Sequence, residues 1–382
     1  MFFEPNETQR LVQQAARSYA QKTLAPIAAR LDREARFPRE QLRELAELGL
    51  MGVNVPEEYG GSAAGAVSLV LALTEISQGC ASTSVTMGVN NMVAETIVKF
   101  GSAEQKQKYV PEIASGRFAA ASFGLSEPHC GSDAAALRTT ARRDGAFWVI
   151  NGSKQWITSG DQAGVIIVWA RTETVPGQQT KGISAFLVEG GSKGLSIGKH
   201  EDKMGLRASS TVGLAFEDLR VPASALFGVE GRGLPMALTA LDSGRIGIAS
   251  QAVGIGTAAL DEAVRYARER QAFGQPIANY QAIRFMLADA ATELDAARLL
   301  TLRAAALKEA GKPFTREGSM AKVFASEKAN RACDMAVQVH GGYGYIDEFP
   351  AERHYRDARV TTIYEGTSEI QRIVIARELL KD

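Results

Sequence analysis

The pattern of the 382-residue chain changes at residues 123–133, which read Phe123-Gly124-Leu125-Ser126-Glu127-Pro128-His129-Cys130-Gly131-Ser132-Asp133. Before this stretch, apolar residues recur at the three- and four-residue spacing of helices, as in residues 11–19. After it, short apolar runs alternate with turn residues, which is typical of β-strands. From Gly231 onward the helical period returns. The stretch therefore marks the junction between a helical domain and a β-domain.

The middle segment contains a β-hairpin pattern around Asp144-Gly145. This dipeptide favours a tight turn and separates the strand-like runs 138–143 and 147–150. Further strand-like runs follow at residues 163–170, 182–188, 194–199 and 211–217. Because no helical pattern intervenes, we predict an antiparallel β-sandwich or β-barrel.

The last segment predicts long helices. Its apolar residues fall three or four positions apart at Ile283, Leu287, Ala290, Leu294, Ala297 and Leu300. Gly311-Lys312-Pro313 ends this helix, and Thr315 is a candidate cap for another that runs to Gly341-Gly342. The sequence thus predicts an α+β multidomain chain with an α-helical domain at 1–120, a middle β-domain at 121–230 and a C-terminal α-helical bundle at 231–382.

The composition excludes several classes of protein. The chain has 43 basic and 43 acidic residues, and this balance argues against binding to nucleic acid. No apolar run approaches the roughly 18 residues of a membrane-spanning helix. Three widely spaced cysteines without a Cys-x-x-Cys pair predict no metal site or disulfide and favour a reducing compartment. The first seven residues lack a leader pattern, so we predict a cytoplasmic protein or a mature protein of the mitochondrial matrix.

A loose G-x-G-x-x-A pattern occurs at residues 254–259. A dinucleotide-binding loop with this pattern requires a preceding strand, whereas the surrounding sequence is helical on both sides. We therefore interpret the glycines as sites of close helix packing. The chain contains no P-loop, and its four scattered histidines have the pattern of structural residues.

Three segments are candidates for a functional site. Residues 123–133 could expose backbone N–H groups to a ligand or form a plain interdomain loop. Residues 156–160 place a tryptophan beside a threonine just after a predicted strand, where a core tryptophan is the alternative. Residues 363–369 include Glu365 beside a glycine between two helical patterns. Helix capping accounts for the hydroxyl groups of Thr367 and Ser368 but leaves Glu365 unexplained.

Six motifs follow one another along the chain: Leu125-Ser126-Glu127-Pro128 with Gly131-Ser132-Asp133, Trp156-Ile157-Thr158, Asp242-Ser243-Gly244-Arg245, Arg270-Gln271-Ala272-Phe273-Gly274, Gln338-Val339-His340-Gly341-Gly342 and Tyr364-Glu365-Gly366-Thr367. Together they resemble the acyl-CoA dehydrogenase family of flavoproteins, and within it the short-chain (butyryl-CoA) branch. The resemblance implies the three-domain acyl-CoA dehydrogenase fold, a homotetramer and one FAD per subunit. It also implies a place in fatty acid β-oxidation.

The family reaction is α,β-dehydrogenation of an acyl-CoA to a trans-2-enoyl-CoA, with electrons passed to an electron-transfer flavoprotein. By resemblance, Glu365 is the catalytic base, and Gly244 stands where some branches of the family carry the base instead. The implied FAD-binding residues are Phe123, Leu125, Ser126, Gly131, Ser132, Trp156, Ile157, Thr158, Arg270, Phe273, Gln281, Gln338, Val339, Gly341, Gly342, Thr367 and Glu369. The implied substrate-binding residues are Ser132, Asp242, Arg245, Tyr364 and Gly366.

Three alternatives stay open. A branched short-chain substrate, such as isobutyryl-CoA or 2-methylbutyryl-CoA, fits the same motifs. An acyl-CoA oxidase would pass electrons to dioxygen. A catalytically silent acyl-CoA-binding scaffold would keep the fold but take up no FAD.

Overall fold

Helices occupy the first part of the chain. The computed structural model describes residues 4–173 and 175–381. Asn6 caps the first helix, because its side chain accepts a hydrogen bond from the Gln9 backbone N–H while the Gln9 side chain accepts one from Asn6. A π-helical turn at Ala20–Leu24 joins this helix to the second. The helices are α1 (Glu7–Tyr19), α2 (Ala25–Arg33), α3 (Arg39–Glu47), α4 (Ala66–Gly79), α5 (Ala81–Phe100) and α6 (Ala103–Ala114).

An eight-stranded sheet follows these helices. Its strands are β1 (Ala120–Gly124), β2 (Thr140–Asp144), β3 (Phe147–Thr158), β4 (Ala163–Arg171), β5 (Ile183–Glu189), β6 (Leu195–His200), β7 (Thr211–Pro222) and β8 (Leu226–Phe227). The order is β6-β7-β3-β2-β4-β5-β8, with β1 beside β4. The predicted hairpin is formed by β2 and β3, and Gly145 turns it with a φ of 59°.

Most pairings in the sheet are antiparallel, as predicted, but β4 pairs in parallel with β1 and, at one residue, with β2. Strand β1 comes directly from helix α6 rather than from a hairpin. It reaches β4 through a long connection, which allows the parallel direction. The arrangement places the end of β1, and therefore the start of the 123–133 junction, beside β4, an inner strand of the sheet.

The C-terminal part is again helical, so the predicted order of helix, sheet and helix is confirmed. It contains α7 (Gly233–Glu269), α8 (Gln281–Glu309), α9 (Thr315–His340), α10 (Ala351–Arg359) and α11 (Ser368–Leu379), with a short hairpin of β9 (Gln271–Ala272) and β10 (Gln275–Pro276). The capping role predicted for Thr315 is wrong. Phe314 occupies the cap position, and the Thr315 hydroxyl donates to the Asp242 carboxylate at 2.7 Å instead.

The glycines of the G-x-G-x-x-A pattern lie inside helix α7, where neighbouring helices approach closely. A Cβ atom added at Gly254 would lie 2.3 Å from the Thr74 carbonyl oxygen of helix α4. One added at Gly256 would lie 2.6 Å from Leu294 and 3.1 Å from Ala329. The structure thus confirms the packing interpretation of these glycines.

None of the helices within residues 4–173 and 175–381 combines the length and apolar character needed to cross a membrane. The three cysteines are free and buried.

Candidate active site

Glu365 lies in a left-handed turn between α10 and α11. Glu365 and Gly366 have φ values of 53° and 87°. A non-glycine residue in this region costs about 1–3 kcal/mol, so surrounding contacts must hold it there. The Gln371 amide donates to the carbonyl oxygens of Glu365 (3.1 Å) and Gly366 (2.8 Å), and the Lys322 ammonium donates to that of Gly366 (2.7 Å). Thr367 then caps helix α11.

The carboxylate of Glu365 has the properties of a general base. Its Oε2 atom is buried and has no hydrogen-bond partner. Burial raises the pKa of Glu365 to about 7, while the positive charges of Arg245 and Lys322 act in the opposite direction. A carboxyl group with a pKa near neutrality and a free oxygen can accept a proton from a weak acid.

Gly244 provides the space for this carboxylate. A Cβ atom added at Gly244 would lie 3.0 Å from both Cδ and Oε2 of Glu365, and 2.9 Å from the Met92 sulfur. Helix α7 therefore passes so close to the turn that a side chain at this position would displace the carboxylate.

A narrow cavity extends from Glu365 between helices α4, α5, α7 and α8. Its apolar walls include Leu69, Leu73, Val85, Val89, Met92 and Ile248. The volume of the cavity is about 40 Å³. Glu95 and Lys308 also line it, and their side chains form an ion pair at 2.6 Å. The cavity is thus an apolar channel with the Glu365 carboxylate and a charged pair in its lining.

Asp242 and Arg245, predicted to contact substrate, lie beside Glu365 but are largely internal. Arg245 is 5% exposed, and its guanidinium donates to Asp242 and, at 3.4 Å, to the Ser319 hydroxyl. Its Nε atom is buried without a partner. The structure therefore places Arg245 as an internal charge near the carboxylate rather than on the surface.

Tyr364 belongs to the same turn as Glu365. Its hydroxyl donates to the Gln251 side chain, which lines the cavity. The exposed Glu369 lies one residue inside helix α11. The structure thus brings Tyr364, Glu365, Gly366, Thr367 and Glu369 together in one segment.

Two further predicted segments meet at the junction of helices and sheet. The Gln155 backbone N–H donates to the Ser126 carbonyl at 3.0 Å, and the Ser122 hydroxyl donates to the Thr158 carbonyl at 2.7 Å. Phe123 packs on Trp169 with ring centroids 4.2 Å apart. The segments around residues 123–126 and 155–158 therefore form one surface. Gly131 and Ser132 are exposed further along the loop.

Trp156 corrects two details of the sequence analysis, its position after a strand and the alternative of a core tryptophan. It lies within β3 rather than after a strand, because a register shift between Lys154 and Ile157 lets the strand continue to Thr158. Trp156 has a φ of 63° and is 61% exposed, so it is not a core residue. Its neighbour Ile157 is buried in the sheet core. The irregularity thus turns the indole outward.

A buried ion pair joins these two segments. The Lys154 ammonium donates to the Glu127 carboxylate at 2.8 Å and to the Leu125 carbonyl at 3.1 Å. The same carboxylate accepts the backbone N–H groups of Arg138 and Thr139. Both side chains are almost fully buried. His129 and Cys130 bring their ring nitrogen and sulfur near this carboxylate, but Glu127 is already occupied by Lys154. The pair fixes the 125–128 loop to β3.

A second open groove lies elsewhere on the C-terminal helices. It is lined by Arg270, Val339, Gly341 and Gly342, among others. Gly341 has a φ of 60°, and a Cβ atom added at either glycine would meet no heavy atom within 4 Å. The groove and the Glu365 cavity share no lining residue among those described. Phe273 (97% exposed), Gln281 and Gln338 also lie on the surface.

The predicted residues fit a flavin dinucleotide. Trp156 presents an exposed aromatic face suited to a planar ring. Arg270 supplies a guanidinium for a diphosphate, and the open backbone at Gly341-Gly342 permits close approach. The side chains of Leu125 and Val339 are buried in two hydrophobic clusters. Leu125 therefore supports the surface at residues 123–126, and Val339 supports the groove at Arg270.

Sequence reasoning missed Lys322, Gln371 and the pairing of Glu127 with Lys154. Lys322 carried a detectable signal, because it lies next to Ala321 on a stripe of small apolar residues that continues through Ala325. A lysine at such a position is rarely buried without a partner. The partner of Lys154 could not be predicted, because Glu127 lies on a loop remote in sequence.

The fold and this site define a flavin-dependent oxidoreductase. Family models of acyl-CoA dehydrogenases match the chain over residues 6–117 (N-terminal domain), 122–219 (middle domain) and 231–380 (C-terminal domain). The chain belongs to the acyl-CoA dehydrogenase family. Members of this family depend on FAD, and the predicted enzyme class and cofactor are thereby confirmed.

Individual relatives are similar over the whole chain. The mitochondrial short-chain specific acyl-CoA dehydrogenase of Bos taurus is 54% identical over 376 residues, which cover 98% of this chain and 90% of that protein. Butyryl-CoA dehydrogenase from Megasphaera elsdenii superimposes with a TM-score of 0.97 at 40% identity, covering 100% of both chains. A chain in a structure described as the electron transferring flavoprotein of Acidaminococcus fermentans gives 0.97 at 44% identity, again with full coverage of both chains.

Proposed function

We propose that this enzyme oxidises short-chain acyl-CoA thioesters, with butyryl-CoA as the representative substrate, to trans-2-enoyl-CoA, and that Glu365 removes the α-proton. The observation that carries this proposal is the unpartnered Oε2 atom of Glu365 beside a narrow apolar cavity. The proton of the α C–H bond passes to Glu365, and the C–H electrons contribute to the new double bond. FAD, when bound, supplies the hydride acceptor, N5, for the β-hydrogen and its electron pair.

The environment of Glu365 supports this role. An α C–H bond next to a thioester is a weak acid, so its base must be well placed and active near neutral pH. The turn that holds Glu365 is fixed by two side-chain donors, Gln371 to the Glu365 carbonyl and Lys322 to the Gly366 carbonyl. Gly366 presents no side chain that would keep a thioester at a distance.

The direct test is Glu365→Gln, which keeps the volume of the side chain but removes the base. We expect the purified variant to retain FAD and to lose nearly all flavin reduction by butyryl-CoA under anaerobic conditions. Substantial remaining reduction would place the base elsewhere. A colourless wild-type protein that takes up no FAD would favour the silent scaffold.

The cavity supports a preference for short acyl groups. A water-sized group needs about 10–15 Å³, so a cavity of about 40 Å³ holds roughly three groups of that size, such as the carbon atoms of a short acyl chain. We infer that a longer chain would press against the Glu95–Lys308 ion pair in the lining, and separating a largely buried pair is costly. We expect reduction rates to fall in the order butyryl-, hexanoyl-, octanoyl-CoA. A faster rate with octanoyl-CoA would contradict this, and a faster rate with isobutyryl-CoA would indicate a branched substrate.

We further propose electron-transfer flavoprotein as the electron acceptor and a homotetramer as the assembly. The separation of the Arg270 groove from the Glu365 cavity supports the assembly, because a neighbouring subunit could present the groove to the FAD. We expect the enzyme to reoxidise slowly in air after reduction by substrate, as a dehydrogenase would. Rapid formation of peroxide would indicate an oxidase. The compartment, cytoplasm or mitochondrial matrix, stays a prediction.

A further inference from the structure

Lys322 is buried beside the candidate base, and its positive charge has had no part in the mechanism described so far. It lies in helix α9, and its relative exposure is 0%. Within residues 4–173 and 175–381, no carboxylate lies at ion-pair distance from its ammonium group, which donates to the Gly366 carbonyl at 2.7 Å. Burying an ammonium group without a carboxylate partner costs free energy. The fold therefore keeps a costly charge at this position.

Lys322 contacts the turn formed by Glu365 and Gly366 through a backbone carbonyl. The Gly366 carbonyl accepts hydrogen bonds from both Lys322 and Gln371, and Gln371 also holds the Glu365 carbonyl. These donors fix the two consecutive left-handed residues described above. Removal of the Lys322 donor leaves the Gly366 carbonyl with Gln371 alone, so the direction of the Glu365 side chain becomes less strictly defined.

Several charged groups surround Glu365 and Lys322. Helix α7 contributes Asp242 and Arg245, and α11 contributes Glu369 and Arg377; Glu327 lies on α9 with Lys322, and Tyr364 precedes Glu365 in the turn. The charge of Arg245 is compensated by its ion pair with Asp242. Lys322 has no such pair at ion-pair distance among the residues that the structure describes, and its charge acts on Glu365 together with the larger effect of Arg245. Burial lowers the pKa of Lys322 to about 8, against the opposing effect of Glu365.

We propose that Lys322 is a positioning residue that orients the Glu365–Gly366 turn and, together with Arg245, supplies positive charge that favours the ionised form of Glu365. This inference rests on the proposed role of Glu365 as the base. It predicts two separable effects of substitution, one on the rate and one on the pH at which the enzyme becomes active.

The test uses FAD-loaded enzyme and butyryl-CoA, with anaerobic flavin reduction measured from pH 5.5 to 9. Lys322→Met removes charge and donor. We expect the rising limb of the pH profile, near pH 7 in the wild type, to move upward by roughly one unit, the low end of the effect of one nearby opposite charge. Lys322→Arg keeps the charge, so its limb should stay in place while its maximal rate falls. Lys322→Gln keeps a donor without the charge and should show the shifted limb.

Lys328→Met is the matched control. Lys328 lies on the same helix and pairs with Glu293 at 2.8 Å, away from the catalytic turn. Its profile should superimpose on that of the wild type. If Lys322→Met fails to fold or to hold FAD, Lys322→Gln decides the same question with a smaller change.

A folded, FAD-loaded Lys322→Met or Lys322→Gln enzyme with an unshifted limb overturns the inference. This outcome is distinct from failure of the proposed function. If the wild type is not reduced by butyryl-CoA, or Glu365→Gln stays active, the proposed function fails. If the wild type reacts, Glu365→Gln is inactive and the limb does not shift, only the inference about Lys322 fails.

Discussion

Gly244→Ala places one methyl group against the candidate base. The added Cβ atom would lie 3.0 Å from the Glu365 carboxyl and 2.9 Å from the Met92 sulfur, whereas ordinary contacts are 3.4–4 Å. The carboxylate must therefore move by about 0.4–1 Å. A displacement of about 1 Å at a reacting group costs up to about 100-fold in rate. We expect the rate to fall about 10- to 100-fold, which corresponds to about 1.4–2.7 kcal/mol in the barrier.

The effect on folding should be smaller than the effect on rate. Overpacking costs about 1–3 kcal/mol, but replacement of glycine by alanine within a helix returns about 0.5–1 kcal/mol. Gly318→Ala in helix α9 is the matched control, because its nearest atoms would lie 3.5, 3.6 and 3.8 Å away. We expect this control to keep the rate within about twofold and to gain the helical stabilisation.

The assay is anaerobic stopped-flow reduction of the bound flavin at saturating butyryl-CoA, with FAD content measured for each variant. Thermal unfolding of the same samples separates loss of catalysis from loss of structure. If Gly244→Ala holds FAD and is reduced at the wild-type rate, the position of the Glu365 carboxylate does not limit the reaction, and the reasoning is refuted.

Three further predictions concern other sites. Arg270→Ala should lower the FAD content after gel filtration, because it removes the guanidinium that faces the open groove; unchanged content would remove Arg270 from the diphosphate site. Lys154→Met should destabilise the protein by about 3–5 kcal/mol in urea unfolding, since it leaves the buried Glu127 carboxylate without its positive partner. The double variant with Glu127→Gln should lose less, and equal losses would contradict the ion-pair argument. Burial raises the pKa of Asp357 from 3.8 to about 7, so the folded state holds a proton that the unfolded state releases, and stability should fall as pH rises through this window. Asp357→Asn should flatten that fall in melting temperatures measured from pH 4 to 7; a slope equal to the wild type would contradict the assignment.

Local chemistry predicted much of the fold. The β2–β3 hairpin follows from Asp144-Gly145, because the turn and its flanking residues are neighbours in sequence. The parallel pairing of β1 with β4 could not be predicted in this way, since the partners are about 40 residues apart. The strand position of Trp156 also depends on pairing, because the register shift that turns it outward is set by β7.

The candidate site likewise contains residues that a local motif predicts and residues that only tertiary packing brings together. Glu365 and its flanking residues form one continuous segment, so a motif was enough to find them. The substrate contact of Arg245 stays a prediction, and the sequence did not indicate that the packing of α7 against α9 buries its guanidinium beside Asp242 and Ser319. Lys322 and Gln371 were missed because they lie 43 residues before and six residues after Glu365 and contact its turn only through the backbone carbonyls of Gly366 and Glu365.

The width of the cavity beside Glu365 depends on a glycine outside its lining. Gly254 lies ten residues beyond Gly244 in helix α7 and brings this helix against Thr74 of helix α4. The same two helices form opposite walls of the cavity, through Leu69 and Leu73 on one side and Gly247 and Ile248 on the other. The close contact at Gly254 therefore sets the distance between helices α4 and α7, and with it the width of the cavity between them. On the proposed function, a substitution at Gly254 can therefore change the preferred length of the acyl chain although this residue does not line the cavity.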